Sequence, residues 1–206
     1  MVAAALMASV ITGYPALVSV LTEGAPGAAG GAVFAALTVS RVPLLLVSPI
    51  QAVAVPTVVR LRTQDHASGG SRLRSMLVLG SVAAAVIGAL GGLSGWLWGP
   101  AAVRLVYGPE YVVAPVAVGL LVLSAILLAW VLLMSAALIA MSAYRRMTLM
   151  WFAAGAATVT WLGISRLDVV ATTAVGALVG PIAAACIGIP VLWSLTAPAP
   201  RPAAAQ

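Results

Sequence analysis

Charge of either sign is scarce in this sequence, and lysine is absent altogether. Of the 206 residues, 10 are basic, all of them arginine, 4 are acidic and 63% are hydrophobic. Soluble domains devote about a quarter of their residues to charged side chains. Here the charged share is 7% and the mean hydropathy is +1.17. This composition excludes an ordinary soluble domain and predicts an integral membrane protein that contacts the lipid bilayer.

The few carboxylates all fall between the apolar stretches, at Glu23, Asp65, Glu110 and Asp168. No acid is therefore expected at membrane depth for a proton or sodium relay. The single histidine, His66, has no second histidine or cysteine nearby, so no metal site is expected. Because the sequence has no nucleophile elbow, Walker loop or metalloprotease helix motif, we expect neither enzymatic activity nor a cofactor.

The chain has one cysteine, Cys186, which excludes an internal disulfide. In an apolar helix this cysteine is expected to be a small core residue. The sequence pI of about 10.8 does not indicate nucleic-acid binding, because no arginine-rich tract is interleaved with aromatic residues. Basic residues in a membrane protein are instead distributed by topology.

Six stretches are long and apolar enough to be transmembrane helices. Crossing a hydrocarbon core of about 30 Å takes roughly 20 helical residues, and no stretch alternates between polar and apolar residues like a barrel strand. We predict an all-α fold, with a six-helix transmembrane lobe over residues 1–196 and a disordered cytoplasmic tail over 197–206. The predicted helices lie near residues 3–21, 31–59, 75–98, 113–141, 147–165 and 169–195.

Most arginines lie in two connections between the predicted helices. RLRTQDHASGGSRLR begins at Arg60, and SAYRRM contains Arg145 and Arg146. By the positive-inside rule these connections face the cytoplasm, which places both termini on the cytoplasmic side of the cell membrane. The N-terminal stretch MVAAALMASVITGYPALVSV has no charged leader, and this predicts that the chain is the latter part of something longer.

The second predicted helix is unusual in both length and content. Residues 31–59 would form an α-helix about 43 Å long, which exceeds the hydrocarbon thickness. Its segment TVSRVPLLLVSPIQAVAVPTVVRLR contains three prolines, each of which removes a backbone hydrogen bond and favours bending. We therefore predict a bent or tilted helix.

Polar residues of the second helix share one side. Thr38, Arg41, Ser48 and Gln51 fall within an arc of roughly 140° on an ideal helix. An arginine near the bilayer centre usually faces a bundle interior or a watery cavity. One interpretation is that these four residues line a cavity and that Arg41 contacts an anionic substrate, since a guanidinium pairs bidentately with phosphate. The alternative is that the helix begins near Pro43 and that Arg41 extends to the outer headgroups.

Glycines spaced four residues apart allow helix backbones to approach each other closely. Three such pairs are predicted to be packing surfaces: Gly88 with Gly92, Gly91 with Gly95, and Gly176 with Gly180.

Three segments together resemble a known transporter family. GAAGGAVFAALTVSRVPLLLVSPIQAVAVPTVVRLR resembles the eighth helix of polysaccharide biosynthesis proteins, the oligosaccharide-lipid flippases of the multidrug/oligosaccharidyl-lipid/polysaccharide exporter superfamily. RLVYGPEYVVAP resembles the extracytoplasmic connection after their ninth helix, and SAYRRMTLMWFAAGAA resembles the basic turn into their eleventh helix. The likeness covers about residues 10–195.

The resemblance implies a fold and a substrate. Family members have about twelve helices in two lobes of six, with an alternating-access cavity between the lobes, and the predicted topology matches the second lobe alone. The implied substrate is a lipid-linked glycan whose pyrophosphate meets cavity arginines. Arg41 fits that role, while Gln51 and Ser48 would contact sugar hydroxyls. Because alternating access needs two moving parts, the chain is expected to be a truncated product or to pair with a separately encoded first-lobe protein. A homodimer is less favoured, since the lobes of the family are not interchangeable in sequence.

Two other functions fit the sequence. A multidrug-type exporter lobe of the same superfamily would more naturally carry intramembrane acids for cation coupling, which this chain lacks. A non-transporting membrane scaffold or an inactive truncated remnant is the alternative outside transport.

Overall fold

The computed structural model describes residues 8, 12–21, 28–46, 49–50, 52–53, 56–57, 59–60 and 69–196. These residues contain no β-strand, so the predicted all-α fold is confirmed. A short 3₁₀ helix, Val42–Leu46, follows the second α-helix, and the described residues between 49 and 60 are helical. Six α-helices have their bounds within the described residues: α1 (Tyr14–Leu21), α2 (Ala28–Ser40), α3 (Gly69–Tyr107), α4 (Pro115–Ala140), α5 (Tyr144–Ile164) and α6 (Val169–Leu195).

Four of these helices are long and apolar enough to cross a membrane. They correspond to Ser71–Tyr107, Pro115–Ala140, Tyr144–Ile164 and Val169–Leu195. The apolar part of α2, Gly31–Ser40, is shorter and would extend only about 15 Å, half of a hydrocarbon core. The chain is therefore a multi-pass membrane protein. The predicted tail over 197–206 lies outside the described residues, as do residues 3–7 and 9–11 of the first predicted helix.

The prediction of one α-helix over residues 31–59 is wrong, because α2 ends at Ser40. The amides of Arg41 and Leu44 donate to carbonyls three residues back, on Thr38 (3.3 Å) and Arg41 (2.9 Å), which is 3₁₀ geometry. Pro43 explains the break. It has no N–H to continue the helix, and it disfavours α conformation in the residue before it.

Helix α3 is longer than predicted at both ends. The expected boundary was near residue 98, yet the helix continues through Pro100 to Tyr107. Pro100 removes one backbone hydrogen bond, but the turn that follows it packs into the protein interior, where Val103 is 0% exposed. Tertiary packing therefore outweighs the helix-breaking tendency of this proline.

Helix α4 is the centre of the bundle and packs against both α3 and α6, while α5 packs mainly on α6. Glycines allow α3 and α4 to touch through their backbones. A Cβ atom added to Gly119 of α4 would lie 2.7 Å from the carbonyl oxygen of Gly92, and one added to Gly95 would lie 3.3 Å from the Gly119 Cα atom. The predicted role of these α3 glycines in packing is confirmed.

The α6 glycine pair is also confirmed as a packing surface. A Cβ atom on Gly180 would lie 2.6 Å from Thr158 Oγ1 of α5, and one on Gly176 would lie 2.9 Å from Tyr14 Oη of α1. These glycines therefore bring polar atoms of α1 and α5 against the α6 backbone.

The loops divide the bundle into two ends of different charge. The acid end holds the loops with Glu110 and Asp168, and Asp168 caps α6 by accepting a hydrogen bond from the Ala171 amide (3.1 Å). The arginine end holds the first turns of α3 and α5 and the last turns of α4 and α6. Arg74 of α3 donates to Thr196 Oγ1 (3.3 Å) there, and Arg146 of α5 donates to Ser194 Oγ (3.4 Å). The two arginine-rich connections thus lie at the same end; that this end is cytoplasmic stays a prediction.

Two apolar cores fill the interior. The arginine-end core includes Leu138, Met150 and Trp151, and the acid-end core includes Ala36 and Val118. Cys186 belongs to neither core and is exposed, so its prediction as a core residue is wrong. Its helix is apolar on the face toward lipid as well as on the face toward protein, so composition could not tell the two apart.

The arginine-end core contains one buried interhelical hydrogen bond. Trp151 Nε1 of α5 donates to Ser135 Oγ of α4 at 3.0 Å, and that hydroxyl donates to the Val131 carbonyl. We expect Ser135→Ala to lower the free energy of unfolding by about 1 kcal/mol, because it leaves the indole N–H without an acceptor. Denaturant titration in detergent micelles measures this. Ser75→Ala, whose exposed hydroxyl bonds within its own helix, should have no effect, and equal losses in the two variants would contradict the assignment.

Candidate site at the helix break: a cavity around Arg41

Arg41 lies at the helix break and lines a small cavity inside the bundle. The cavity is formed by residues of α1, α2, the 3₁₀ helix, α4, α5 and α6. Its polar lining consists of Tyr14, Ser40, Arg41, Ser124 and Thr158. The break positions the arginine, because the α-helical direction of α2 stops one residue before it.

The cavity lies well inside the membrane-spanning region. At 1.5 Å per residue, Ser124 is about 14 Å along α4 from its first residue, and Thr158 is about 9 Å from the last residue of α5. Pro181, which also lines the cavity, is about 18 Å along α6. These depths are measured from the acid end and approach the middle of a 30 Å core. This position favours the cavity interpretation of Arg41 over the headgroup interpretation.

Arg41 is a half-buried cation. In the part of the chain that the structure describes, its guanidinium makes no hydrogen bond and no ion pair. It directly follows the C-terminus of α2, where the partial negative charge of the helix dipole favours a cation. That interaction is worth at most about 2 kcal/mol, less than the cost of about 2.5 to 3.5 kcal/mol for an arginine at the centre of a membrane helix. The site therefore favours an anion or water beside Arg41.

Hydroxyl groups around Arg41 have their protons directed to backbone carbonyls. Tyr14 Oη donates to the Thr173 carbonyl at 2.5 Å, Ser40 Oγ to Leu37 at 3.0 Å and Ser124 Oγ to Leu121 at 2.7 Å. A hydroxyl oxygen that donates its proton still has lone pairs that accept hydrogen bonds. The cavity wall therefore combines one fixed positive charge with several neutral acceptors.

A proline in α6 adds a further acceptor. Pro181 has no N–H, so the regular hydrogen bond to the carbonyl of Ala177 is missing. Ala177 and Pro181 both line the cavity. The chain thus places an interrupted backbone on two sides of Arg41, once at the end of α2 and once in α6.

The cavity is small in this conformation. Its volume of about 30 Å³ is sufficient for one or two water molecules and too small for a pyrophosphate group. An anionic ligand of that size would need the walls to separate. The groups present can bind and orient an anion, but they include no nucleophile paired with a base. In the described ranges there is also no cluster of three or more His, Cys, Asp or Glu side chains that could hold a metal ion.

The four predicted site residues are not all brought together. Arg41 lines the cavity, whereas Thr38 does not: it is exposed, and its hydroxyl donates to the Phe34 carbonyl of its own helix at 2.9 Å. Ser48 and Gln51 lie outside the described residues, so their roles stay predictions. The prediction that these four residues share one side of a helix required a continuous α-helix. The α-helix ends at Ser40, so the prediction no longer has that basis.

Sequence reasoning did not identify the other polar residues of the cavity. Tyr14, Ser124 and Thr158 each lie on a different helix. A search for ionisable groups at membrane depth passes over them, since none is charged. The sequence does mark these residues, although less clearly than it marks Arg41, because each of them places a hydroxyl group inside a long apolar stretch.

The chain is similar to mycobacterial proteins. It is 32% identical over 191 residues to the uncharacterized protein Rv1510 of Mycobacterium tuberculosis strain H37Rv, a match that covers 92% of this chain and 42% of that protein. It is 30% identical over 182 residues to the uncharacterized protein Mb3654 of Mycobacterium bovis, covering 88% of this chain and 40% of that protein.

The chain therefore spans about two fifths of the length of the curated relatives it matches. No protein-family model matches the sequence. No solved structure matches it either.

Proposed function

We propose that this chain is one lobe of a membrane transporter that exports or flips lipid-linked polysaccharide precursors across the cytoplasmic membrane. Arg41 is the residue that meets the anionic pyrophosphate of the substrate. The observation that carries this proposal is a half-buried arginine, with no hydrogen bond or ion pair among the described residues, at an interruption of a helix inside the membrane. A cation in that position is expensive to maintain unless it has a function.

The interrupted backbone supports transport rather than a purely structural role. Substrate sites of secondary transporters lie near the bilayer midplane and are typically formed by discontinuous helices. The cavity has both properties, since α2 ends at its wall and Pro181 interrupts the hydrogen bonding of α6 beside it. The small volume fits a closed conformation of a site that opens during the transport cycle.

The match to the relatives supports a second lobe. The aligned region covers 42% of Rv1510, so most of that protein has no counterpart in this chain. Alternating access requires two parts that move against each other. We therefore propose that a companion lobe supplies the opposite wall of the cavity, either as a separate protein or as further sequence.

Complementation tests the proposal. A bacterial strain that depends on a lipid-linked oligosaccharide flippase is transformed with this chain alone, with candidate first-lobe proteins alone, and with both. We expect rescue only when both are present, together with loss of the lipid-linked precursor that accumulates on the inner leaflet.

The same experiment separates the competing functions. Drug resistance without rescue would indicate a multidrug-type exporter lobe. Failure of every pairing, despite normal membrane abundance of both proteins, would contradict transport and favour a scaffold or an inactive remnant.

A further inference from the structure

A second, larger cavity lies at the arginine end of the bundle. It has a volume of about 220 Å³ and is lined mainly by apolar side chains of α3, α4 and α6, with Thr57 contributing from the described residues between 49 and 60. Leu73 and Met76 contribute from α3, Leu133 and Ala137 from α4, and Leu192 from α6. Arg41 is not part of its lining. We refer to this cavity as the apolar groove.

The length of the groove matches one leaflet of a bilayer. Along α4 it extends from Met141, just after the helix end, to Trp130. Eleven helical steps correspond to about 16 Å, and half of a 30 Å hydrocarbon core is about 15 Å. A groove that runs from the end of the bundle to the membrane centre has the dimensions of an acyl chain in a single leaflet.

Arg74 lies at the mouth of the groove, and a second arginine lies at the same helix end. Arg74 donates to Thr196 Oγ1, which lines the groove, and also to the Trp193 carbonyl at 3.4 Å. Its guanidinium lies 4.7 Å from the centre of the Trp193 ring. Arg146 of α5 donates to Ser194 in the same last turn of α6. Arg74 is therefore held beside the opening, and Arg146 adds a second positive charge at the same helix end.

Arginines outnumber acids at this end. The two arginine-rich connections carry six arginines and one acid, Asp65. Arg72 and Arg145 are exposed next to Arg74 and Arg146 in sequence, and both acids among the described residues lie at the opposite end of the bundle. There, the described arginines Arg104 and Arg166 are matched in number by Glu110 and Asp168. A basic opening above an apolar groove is complementary to a phosphate headgroup attached to a hydrocarbon chain. Basic pockets between transmembrane helices are known to bind anionic lipid headgroups.

We propose that the apolar groove is a binding site for an anionic diacyl phospholipid. One acyl chain lies along α4 between α3 and α6, and the headgroup phosphate pairs with Arg74 at the opening, with Arg146 adding positive charge at the same end of α6. A guanidinium bonds phosphate through two parallel N–H donors. The two bonds of Arg74 to the end of α6 use two of its five N–H groups. This inference is independent of the proposed transport function, because it involves neither Arg41 nor a second lobe.

The test measures lipid preference by tryptophan quenching. The purified chain is reconstituted in phosphatidylcholine vesicles that contain increasing fractions of phosphatidylglycerol with brominated acyl chains; brominated phosphatidylcholine is the reference. Trp130 lines the groove, so a brominated chain bound there quenches its fluorescence. We expect stronger quenching by phosphatidylglycerol than by phosphatidylcholine at equal bromine content.

Two double variants with the same change in charge distinguish lipid binding at the groove opening from a general attraction of anionic lipid to surface arginines. Arg74→Gln with Arg146→Gln should lower the preference for phosphatidylglycerol by about fivefold for each arginine removed. Arg104→Gln with Arg166→Gln removes two arginines at the acid end and should leave it unchanged. An equal loss in both, or no loss in the first, would overturn the proposal.

A third variant tests the acyl chain. Ala137→Leu narrows the groove without changing any charge and should reduce the preference for brominated phosphatidylglycerol at least twofold. The circular dichroism spectrum and the gel-filtration profile of each variant must match those of the unchanged chain. If Arg74→Gln disturbs the end of α6, Arg146→Gln alone replaces the double variant. Full preference in a correctly folded Ala137→Leu protein would overturn the role of the groove.

Discussion

Arg41→Ala is expected to abolish rescue of the flippase-deficient strain while the protein remains at normal abundance in the membrane. Truncating one partner of a buried charge pair costs about 2 kcal/mol or more, which corresponds to at least a thirtyfold loss in substrate binding. Removing the unpaired cation also removes its insertion cost, so folding should not suffer. Complementation measures the rescue, and immunoblotting of membrane fractions measures the abundance of the protein.

Arg41→Lys tests how the arginine acts. Lysine keeps the positive charge but lacks the planar pair of donors that matches phosphate bidentately. We expect partial rescue, between the unchanged chain and Arg41→Ala. Arg104→Ala is the matched control, because this exposed arginine lies at the acid end and its loss should leave rescue intact. If Arg41→Ala instead lowers abundance, the arginine is structural and the substrate role is contradicted.

Gly119→Ala is expected to destabilise the bundle through a clash that no side-chain movement can relieve. The added Cβ atom would lie 2.7 Å from the Gly92 carbonyl oxygen and 3.1 Å from Trp96 Cβ. The Gly92 carbonyl is backbone and cannot rotate away, so α3 and α4 must separate. Overpacking of this kind costs about 1 to 3 kcal/mol or more. Denaturant titration of the purified protein in detergent micelles measures this loss.

Gly163→Ala is the matched control for this prediction. Gly163 is also helical, but a Cβ atom there would have nothing within 4 Å. Alanine is a better helix former than glycine by about 1 kcal/mol, so this variant should be as stable as the unchanged chain or more stable. Equal stability of Gly119→Ala and Gly163→Ala would contradict the close backbone contact between α3 and α4.

The fold class could be predicted because hydrophobic content is a property of whole segments. α4, α5 and α6 lie within a few residues of their predicted positions, since long apolar runs leave little choice between loop and helix. Pro43 and Pro100 show where this fails. Pro43 ends an α-helix and Pro100 does not, and the difference depends on packing of the following turn, which the sequence does not state.

The candidate site was predictable only through its charge. Arg41 stands out in an apolar run because a guanidinium at membrane depth is rare. Tyr14, Ser124 and Thr158 do not stand out. Their hydroxyl groups lie on separate helices, and only the folded structure brings them around one cavity. Thr38 was included because a continuous α-helix would place it on the same side as the other polar residues. The α-helix ends at Ser40, two residues after Thr38.

The end of α2 also lies between the two apolar cores of the bundle. The residues of α2 pack into the acid-end core, whereas Leu44, three residues after Arg41, packs against the arginine-end core. The short 3₁₀ segment between them has weaker hydrogen-bond geometry than an α-helix. Arg41 therefore lies where the chain passes from the acid-end core to the arginine-end core, and the position of its guanidinium depends on the packing of both.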